Sequence, residues 1–288
     1  MNRKITARVS AAVLFILLGV VAYTQNPGAP PELKITKVRE SLYVIEGDGG
    51  NVAVYVTGNG VILVDDKFER DHDAIMGIMQ RLTAQPLKYV LNTHHHADHS
   101  GGNARMYDSG AQIISTVNSR KNILERRQSN APPNVLPARI VFTEETSVFL
   151  GGKEVRAHHY GRGHTNGDAI IYFPLLKVIH AGDLMSGATP LIDYNAGGSV
   201  IEWTKTLDTA MQALDFDTVI PGHGPITNRA GLQNYRDNIA KIRESVTEQI
   251  HQGKTQGDIA KFMEIEHKWA PTSLQQQLSV PGFMNELK

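Results

Sequence analysis

The chain of 288 residues contains no cysteine. That absence excludes a disulfide framework, thiolate zinc knuckles, iron–sulfur clusters, a cysteine nucleophile and lipid attachment at a lipobox cysteine. Charge of one sign is missing too: 29 Lys and Arg balance 29 Asp and Glu, and aromatic residues make up only 7%. With no long basic run either, nothing supplies the electrostatic footprint of a nucleic-acid binder. The chain shows no internal repeat and no G-x-G-x-x-G loop. Any metal must therefore be held by histidine and carboxylate, and there are 12 His to consider.

The N-terminus reads as an export signal. Arg3, Lys4 and Arg8 precede an apolar run from Ala11 to Ala22, which together form a charged n-region and an h-region. This run falls short of the ~20 residues that span a bilayer as a helix, and Val20-Val21-Ala22 offers small residues for cleavage. Residues 1–22 are thus expected to be a signal peptide and 23–34 a linker, Pro-rich from Asn26 to Leu33. Residues 35–288 are expected to form one domain, helical from about 228. Losing Arg3, Lys4 and Arg8 leaves a net charge of −3, which suits a periplasmic or secreted protein with no stable membrane association after cleavage. An uncleaved anchor is the competing reading.

Within the domain, Ile35–Arg39, Leu42–Glu46, Asn51–Val56 and Gly60–Val64 are β-rich runs divided by turn residues, so the domain opens with a meander. Ile75, Ile78, Met79 and Leu82 fall on one face of a helix over Arg70–Leu82, and Lys88–Leu91 reads as a short buried strand. Further on, a helix is expected near Val117–Gln128 and strands near Thr146–Phe149, Glu154–His158, Ala169–Phe173 and Val178–His180. A helix around Ile201–Leu214 precedes a last strand, Thr218–Ile220, ending at Pro221, and a long helix then runs to Gly253. Hairpins dominate each half, which argues for two sheets packed face to face with helices outside.

Directly after Lys88–Leu91 comes Asn92-Thr93-His94-His95-His96-Ala97-Asp98-His99-Ser100-Gly101-Gly102, with four imidazoles and a carboxylate inside six residues. Such a loop can converge ligands on a first-row metal. In a partly extended loop His94 and His96 share a side, while Asp98 and His99 turn elsewhere. Three other segments put His or Asp after a strand-like run: Gly163-His164 to Asp168, Ala181-Gly182-Asp183 and Pro221-Gly222-His223.

The run His94-His95-His96-Ala97-Asp98-His99 resembles the His-x-His-x-Asp-His motif of the metallo-β-lactamase superfamily, and the resemblance extends from about Leu33 to Pro225. It implies an α+β fold, the four-layer αββα sandwich, with two Zn²⁺ in a cleft at one edge and iron or manganese as alternative occupants. By the same resemblance His94, His96 and His164 hold the first zinc, Asp98, His99 and His223 the second, and Asp183 bridges them. Asp65 and Asp66 resemble the superfamily's buried aspartate that orients the histidine loop, Asp65 being the better candidate; such a carboxylate fixes an imidazole tautomer. His95 lies between ligands and is expected to point away. His158, His159 and His180 read as structural.

Two zinc ions, two bridging or terminal carboxylates and a hydroxide leave such a site with a charge near +1, receptive to developing negative charge. The expected function is a zinc-dependent hydrolase whose metal-bridging hydroxide attacks a small-molecule substrate, an ester, lactone, thioester or amide, β-lactams included. Asp98 is the expected catalytic acid–base, passing a proton to the leaving group. Superfamily β-lactamases with Cys in the second site are excluded, and those with an all-His second site carry Ser where Asp183 stands. Thr93 to Asn103 together with Asp183 look more like glyoxalase II and other thioester, lactone or phosphodiester hydrolases. The export signal, and a C-terminal region of only 65 residues after His223, speak against glyoxalase II itself. The alternative from another class is a di-iron redox protein of the same fold acting on oxygen, nitric oxide or sulfur species. The loop Ser186 to Ser199 is the best candidate for substrate contact, with Tyr194 as a conjectural oxyanion donor, and the tail from Lys261 either caps the cleft or packs behind it. Protein recovered from the export compartment should begin close to Tyr23; N-terminal sequencing that finds Met1 intact would contradict the signal.

Overall fold

The computed structural model describes residues 32–125, 135–187 and 189–288. The expected signal peptide, most of the linker and the end of the helix near Val117–Gln128 lie outside the described residues. The first half runs β1 (Lys34–Arg39), β2 (Leu42–Glu46), β3 (Val52–Thr57), β4 (Gly60–Val64), α1 (His72–Leu82), β5 (Leu87–Leu91), α2 (Ala97–Ser100), α3 (Asn103–Asp108), β6 (Gln112–Thr116), α4 (Val117–Leu124) and β7 (Ile140–Phe142). The second runs β8 (Glu145–Leu150), β9 (Lys153–His158), β10 (Ile170–Phe173), β11 (Val178–Ser186), α5 (Val200–Ala213), β12 (Thr218–His223), β13 (Thr227–Asn228), α6 (Arg229–His251), α7 (Gln256–Glu266) and α8 (Leu274–Glu286). Each half builds one sheet, in spatial order β1-β2-β3-β4-β5-β6-β7 and β13-β12-β11-β10-β9-β8.

Alternation along the strands assigns the layers. Leu42, Val44, Ile62 and Val64 point between the sheets, where they meet Val155, Ile171 and Phe173. Their neighbours Ile45, Val61 and Leu63 face the other way, onto Ile75 and Met79 of α1 and Met106 of α3. On the second sheet Ile170 and Ile179 face outward onto Trp203 and Leu207 of α5 and Tyr235 and Ile239 of α6. Three cores between four layers make the expected αββα sandwich. Burial on both faces also explains why β4 reads as an unbroken apolar run instead of an alternating one.

Some elements differ from the sequence reading. The opening meander β1–β4 is antiparallel, but β4 through β7 pair in parallel, with α1 as the crossover between β4 and β5. The brief β7 and β13 and the short helices α2 and α3 escape periodicity arguments because they are too short to show a period, and β6 is not among the expected strands either. Pro221 does not end β12, which continues to His223, because it pairs with Gly182 at a register break in the β11·β12 ladder. A bulge is where a sheet tolerates the missing proline N–H. Asp183 consequently sits inside β11, next to that break, and not in a loop beyond a strand ending at His180. The C-terminal tail is helical, α8 carrying Pro281 within it, and Trp269, Val280 and Phe283 are buried in the outer core.

Asn51, just before β3, stitches the halves together. Its backbone N–H donates to Gly222 O at 2.7 Å, its Nδ2 to Pro221 O and Gly224 O at 2.9 Å each, and its carbonyl accepts from His180 Nε2 at 3.0 Å. Asn51→Ala removes both side-chain bonds and strands a buried carbonyl, so unfolding in urea should show a loss of about 1–3 kcal/mol, with the far-ultraviolet circular dichroism of the native state unchanged.

Candidate metal centre

All seven side chains expected to bind metal come together. His94, His96, Asp98 and His99 follow β5, His164 lies between β9 and β10, Asp183 is in β11 and His223 ends β12. His96 Nδ1 lies 3.2 Å from His94 Nε2 and 2.9 Å from His164 Nε2. A second set forms beside it: His99 Nε2 and His223 Nε2 are 3.2 Å apart, with Asp98 Oδ2 at 3.5 and 3.1 Å from them. Asp183 reaches both sets, Oδ1 lying 3.2 Å from His99 Nε2 and 3.5 Å from His223 Nε2, and Oδ2 3.7 Å from His164 Nε2. Its close approach needs Gly222, where a Cβ would come within 2.0 Å of Asp183 Oδ1.

Partners behind the rings fix which nitrogen carries a proton. A carbonyl only accepts, so Leu191 O, 2.7 Å from His164 Nδ1, puts the hydrogen there and leaves Nε2 bare. Asp193 Oδ2 does the same from 2.9 Å to His96 Nε2, leaving Nδ1 bare. Asp65, wholly buried, accepts from Thr93 N–H at 2.7 Å, from Thr93 Oγ1 at 2.8 Å and from His99 Nδ1 at 2.8 Å. Having given its proton to Asp65, Thr93 Oγ1 can only accept from His94 Nδ1, 3.1 Å away. Four imidazoles are thus held with lone pairs aimed inward, some of them about 3 Å apart, a repulsive arrangement without a cation between them. Asp183 Oδ1 is buried there with no hydrogen-bond donor. The donor set therefore fits metal ions: histidine and carboxylate only, tautomers fixed, lone pairs convergent.

The two sets differ in charge. Burial and the neighbouring imidazoles drive His94 well below the ordinary histidine range and His164 down to about 4, so both of these rings are neutral. Burial opposes charging of His99 and His223 as well, yet Asp98, Asp183 and Asp65 lift His99 well above its usual value and Asp183 lifts His223 to about 9. The second set demands positive charge, which a metal ion supplies in place of protons. A cavity of roughly 440 Å³ opens over His96, Asp98, His164, Asp183 and His223.

The remaining histidines stay outside both sets. His180 donates to Asn51 O, His159 Nδ1 donates to Asp168 O at 2.7 Å, and His158 stacks on Tyr160 with ring centroids 5.3 Å apart. His95 is buried with its ring tilted against His96 at 4.5 Å. Asp66 accepts from Gly102 N–H at 2.9 Å, and burial beside Asp65 holds its carboxyl well above the usual range. Ser186, Thr189, Leu191, Asp193 and Asn195 of the Ser186–Ser199 loop line the cavity, but Tyr194 does not: its hydroxyl donates to Glu286 at 2.7 Å. That corrects the oxyanion assignment, because the α8 carboxylate captures the phenol. Sequence reasoning missed Asp193, which lay in the flagged loop without a motif, and Asp168, which accepts from Thr165 N–H and Oγ1 at 2.9 and 2.5 Å and so braces the His164 loop. Burial pushes Asp168 up to about 7.

The sequence profile of the metallo-β-lactamase superfamily matches residues 45–223, more than half the chain. The chain belongs to that superfamily. Among relatives of this superfamily member, the metallo-β-lactamase type 2 of Elizabethkingia meningoseptica is 25% identical over 248 residues, 80% of this chain and 94% of the relative. The metallo-β-lactamase IND-1 of Chryseobacterium indologenes is 24% identical over 176 residues, 60% of this chain and 71% of the relative. Two solved structures share the fold: a metallo-β-lactamase from Pontibacter korlensis (TM-score 0.64, 20% identity, 72% of this chain and 99% of that one) and FIM-1 from Pseudomonas aeruginosa in its mono-zinc form (TM-score 0.64, 18% identity, 73% and 95%).

Asp65→Asn tests how much the superfamily member's centre owes to its supporting carboxylate. Zinc affinity measured by competition with a chelator should fall about 10–100-fold, and the metal-free protein should lose about 1–3 kcal/mol of stability because a buried donor is left without its acceptor.

Proposed function

We propose that the chain is an exported hydrolase of small molecules holding two Zn²⁺, one on His94, His96 and His164 and one on Asp98, His99 and His223, bridged by Asp183. Its substrates are small esters, lactones, thioesters or amides, β-lactams among the amides. Metal-dependent hydrolysis is the activity that superfamily membership and the donor set carry. The observation that supports the two-ion reading best is Asp183, a buried carboxylate whose oxygens face different donor sets. Zinc bound there supplies a water acidified toward neutral pH and polarises the carbonyl under attack.

The chain's own residues do the rest. In this reading Asp98, partly exposed and lining the cavity, would hold the nucleophile's proton and pass it to the leaving group, a contribution of ~10²–10⁴-fold. Asp65, Asp193 and Leu191 O keep the rings from rotating as charge builds. Histidine and carboxylate also accept iron or manganese, but the relatives named above are β-lactamases, which favours hydrolysis over the redox reading. Export rests on the N-terminal signal; among the described residues, no helix is long and apolar enough to cross a membrane.

Purified protein should carry roughly two zinc ions per chain, lose all hydrolysis on chelation and regain it with added Zn²⁺. Asp183→Asn should bring zinc content toward one and lower kcat by at least ~10²-fold, about 2.7 kcal/mol of transition-state stabilisation. Two retained zinc ions with near-normal rates would remove Asp183 from the bridge.

A further inference from the structure

The cavity above the metal centre is closed on one side by the first turn of α8, a helix that lies beyond the residues 45–223 matched by the superfamily profile. Leu274 and Leu278, one helical turn apart, line the cavity together with Leu191, while Gln275, Gln277 and Asn195 bring uncharged amides to it. The other face of α8 is anchored. Ser279 Oγ accepts from Ile192 N–H at 2.9 Å and donates to Ile192 O at 3.3 Å. Glu286 accepts from Tyr194 Oη at 2.7 Å, Ser199 Oγ at 2.5 Å and Val200 N–H at 3.0 Å. Gly282 lies so close to Tyr194 that a Cβ would stand 1.8 Å from the ring. The wall is therefore held in register with Leu191 O and Asp193, the groups that orient His164 and His96.

Among the described residues no Lys or Arg lines this cavity; its charged groups besides the imidazoles are Asp98, Asp183 and Asp193. At the α8 end a substrate arm meets leucine side chains and neutral amides. A carboxylate there would lose part of its water against the half-buried Leu278, find no Lys or Arg to pair with and face Asp193, a cost that an alkyl or amide arm avoids.

We infer that the first turn of α8 sets the substrate class of this centre: uncharged esters or lactones whose apolar arm of several carbons lies along Leu191, Leu274 and Leu278. Substrates whose arm ends in a carboxylate are selected against. The inference rests on the hydrolase reading above.

The test uses the zinc-loaded protein and two matched pairs of probes. p-Nitrophenyl octanoate is compared with the p-nitrophenyl half-ester of suberic acid for turnover. Octanohydroxamic acid is compared with suberic acid monohydroxamate for binding by calorimetry, which needs no turnover. In each pair the neutral arm should be preferred by roughly tenfold or more, in kcat/KM and in Kd respectively. Leu274→Lys, at an exposed position, and Leu278→Lys, at a half-buried one, should erase most of that preference through KM with zinc content unchanged. Turnover without discrimination, or lysine variants that leave both ratios untouched, would overturn the inference while sparing the hydrolase reading. A hydroxamate preference without turnover of either ester would support the α8 wall and remove esters from the substrates proposed above.

Discussion

Convergence of acceptors is the constraint that the rest of this molecule serves. Seven side chains meet with imidazole lone pairs and carboxylate oxygens aimed at each other, and nothing in a protein interior favours that arrangement by itself. It persists because four of the five rings are held from behind: Asp65 and Thr93 for His99 and His94, Asp193 for His96, Leu191 O for His164. Asp65 alone satisfies three donors from a left-handed backbone position at the end of β4. The sandwich supplies the fixed strand ends from which these supports reach, and the metal supplies the charge that makes the cluster favourable.

The sandwich was legible in the sequence to the extent that burial writes a pattern. The β-rich runs divided by turn residues from Ile35 to Val64 and the hairpins of each half carried the two sheets, whereas β4, apolar from Val61 to Val64, has no alternation to say which side chain faces which layer. The seven donors were legible because histidines crowd together between His94 and His99, and because glycines flank His164, Asp183 and His223. What escaped is what has no local pattern. Asp193 acquires its task only when its loop crosses to His96, far away in the sequence. Pro221 looked like a terminus because a proline ends most strands, and only the register of the neighbouring β11 shows why it does not. Tyr194 sat in the expected loop, yet its orientation is decided by Glu286, near the end of the chain.

The C-terminal helices show how a shared centre can be given its own surroundings. The donors and their supports are built almost wholly from the residues that the superfamily profile matches, whereas α8 lies beyond them. By clamping Ile192, Tyr194 and Ser199, α8 ties its position to the loop beneath the centre. Changes in that helix can alter the room above the metals while leaving the donor geometry in place, although its anchoring contacts are not free to vary in the same way.

Each donor set is assembled from both sheets. His94 and His96 come from the first half and His164 from the second; Asp98 and His99 come from the first half and Asp183 and His223 from the second. Neither half offers a complete site, so high-affinity capture of metal and the docking of one sheet on the other are coupled. The filled centre then acts as a clasp between the two sheets, and a chain that has misassembled its halves is left without it.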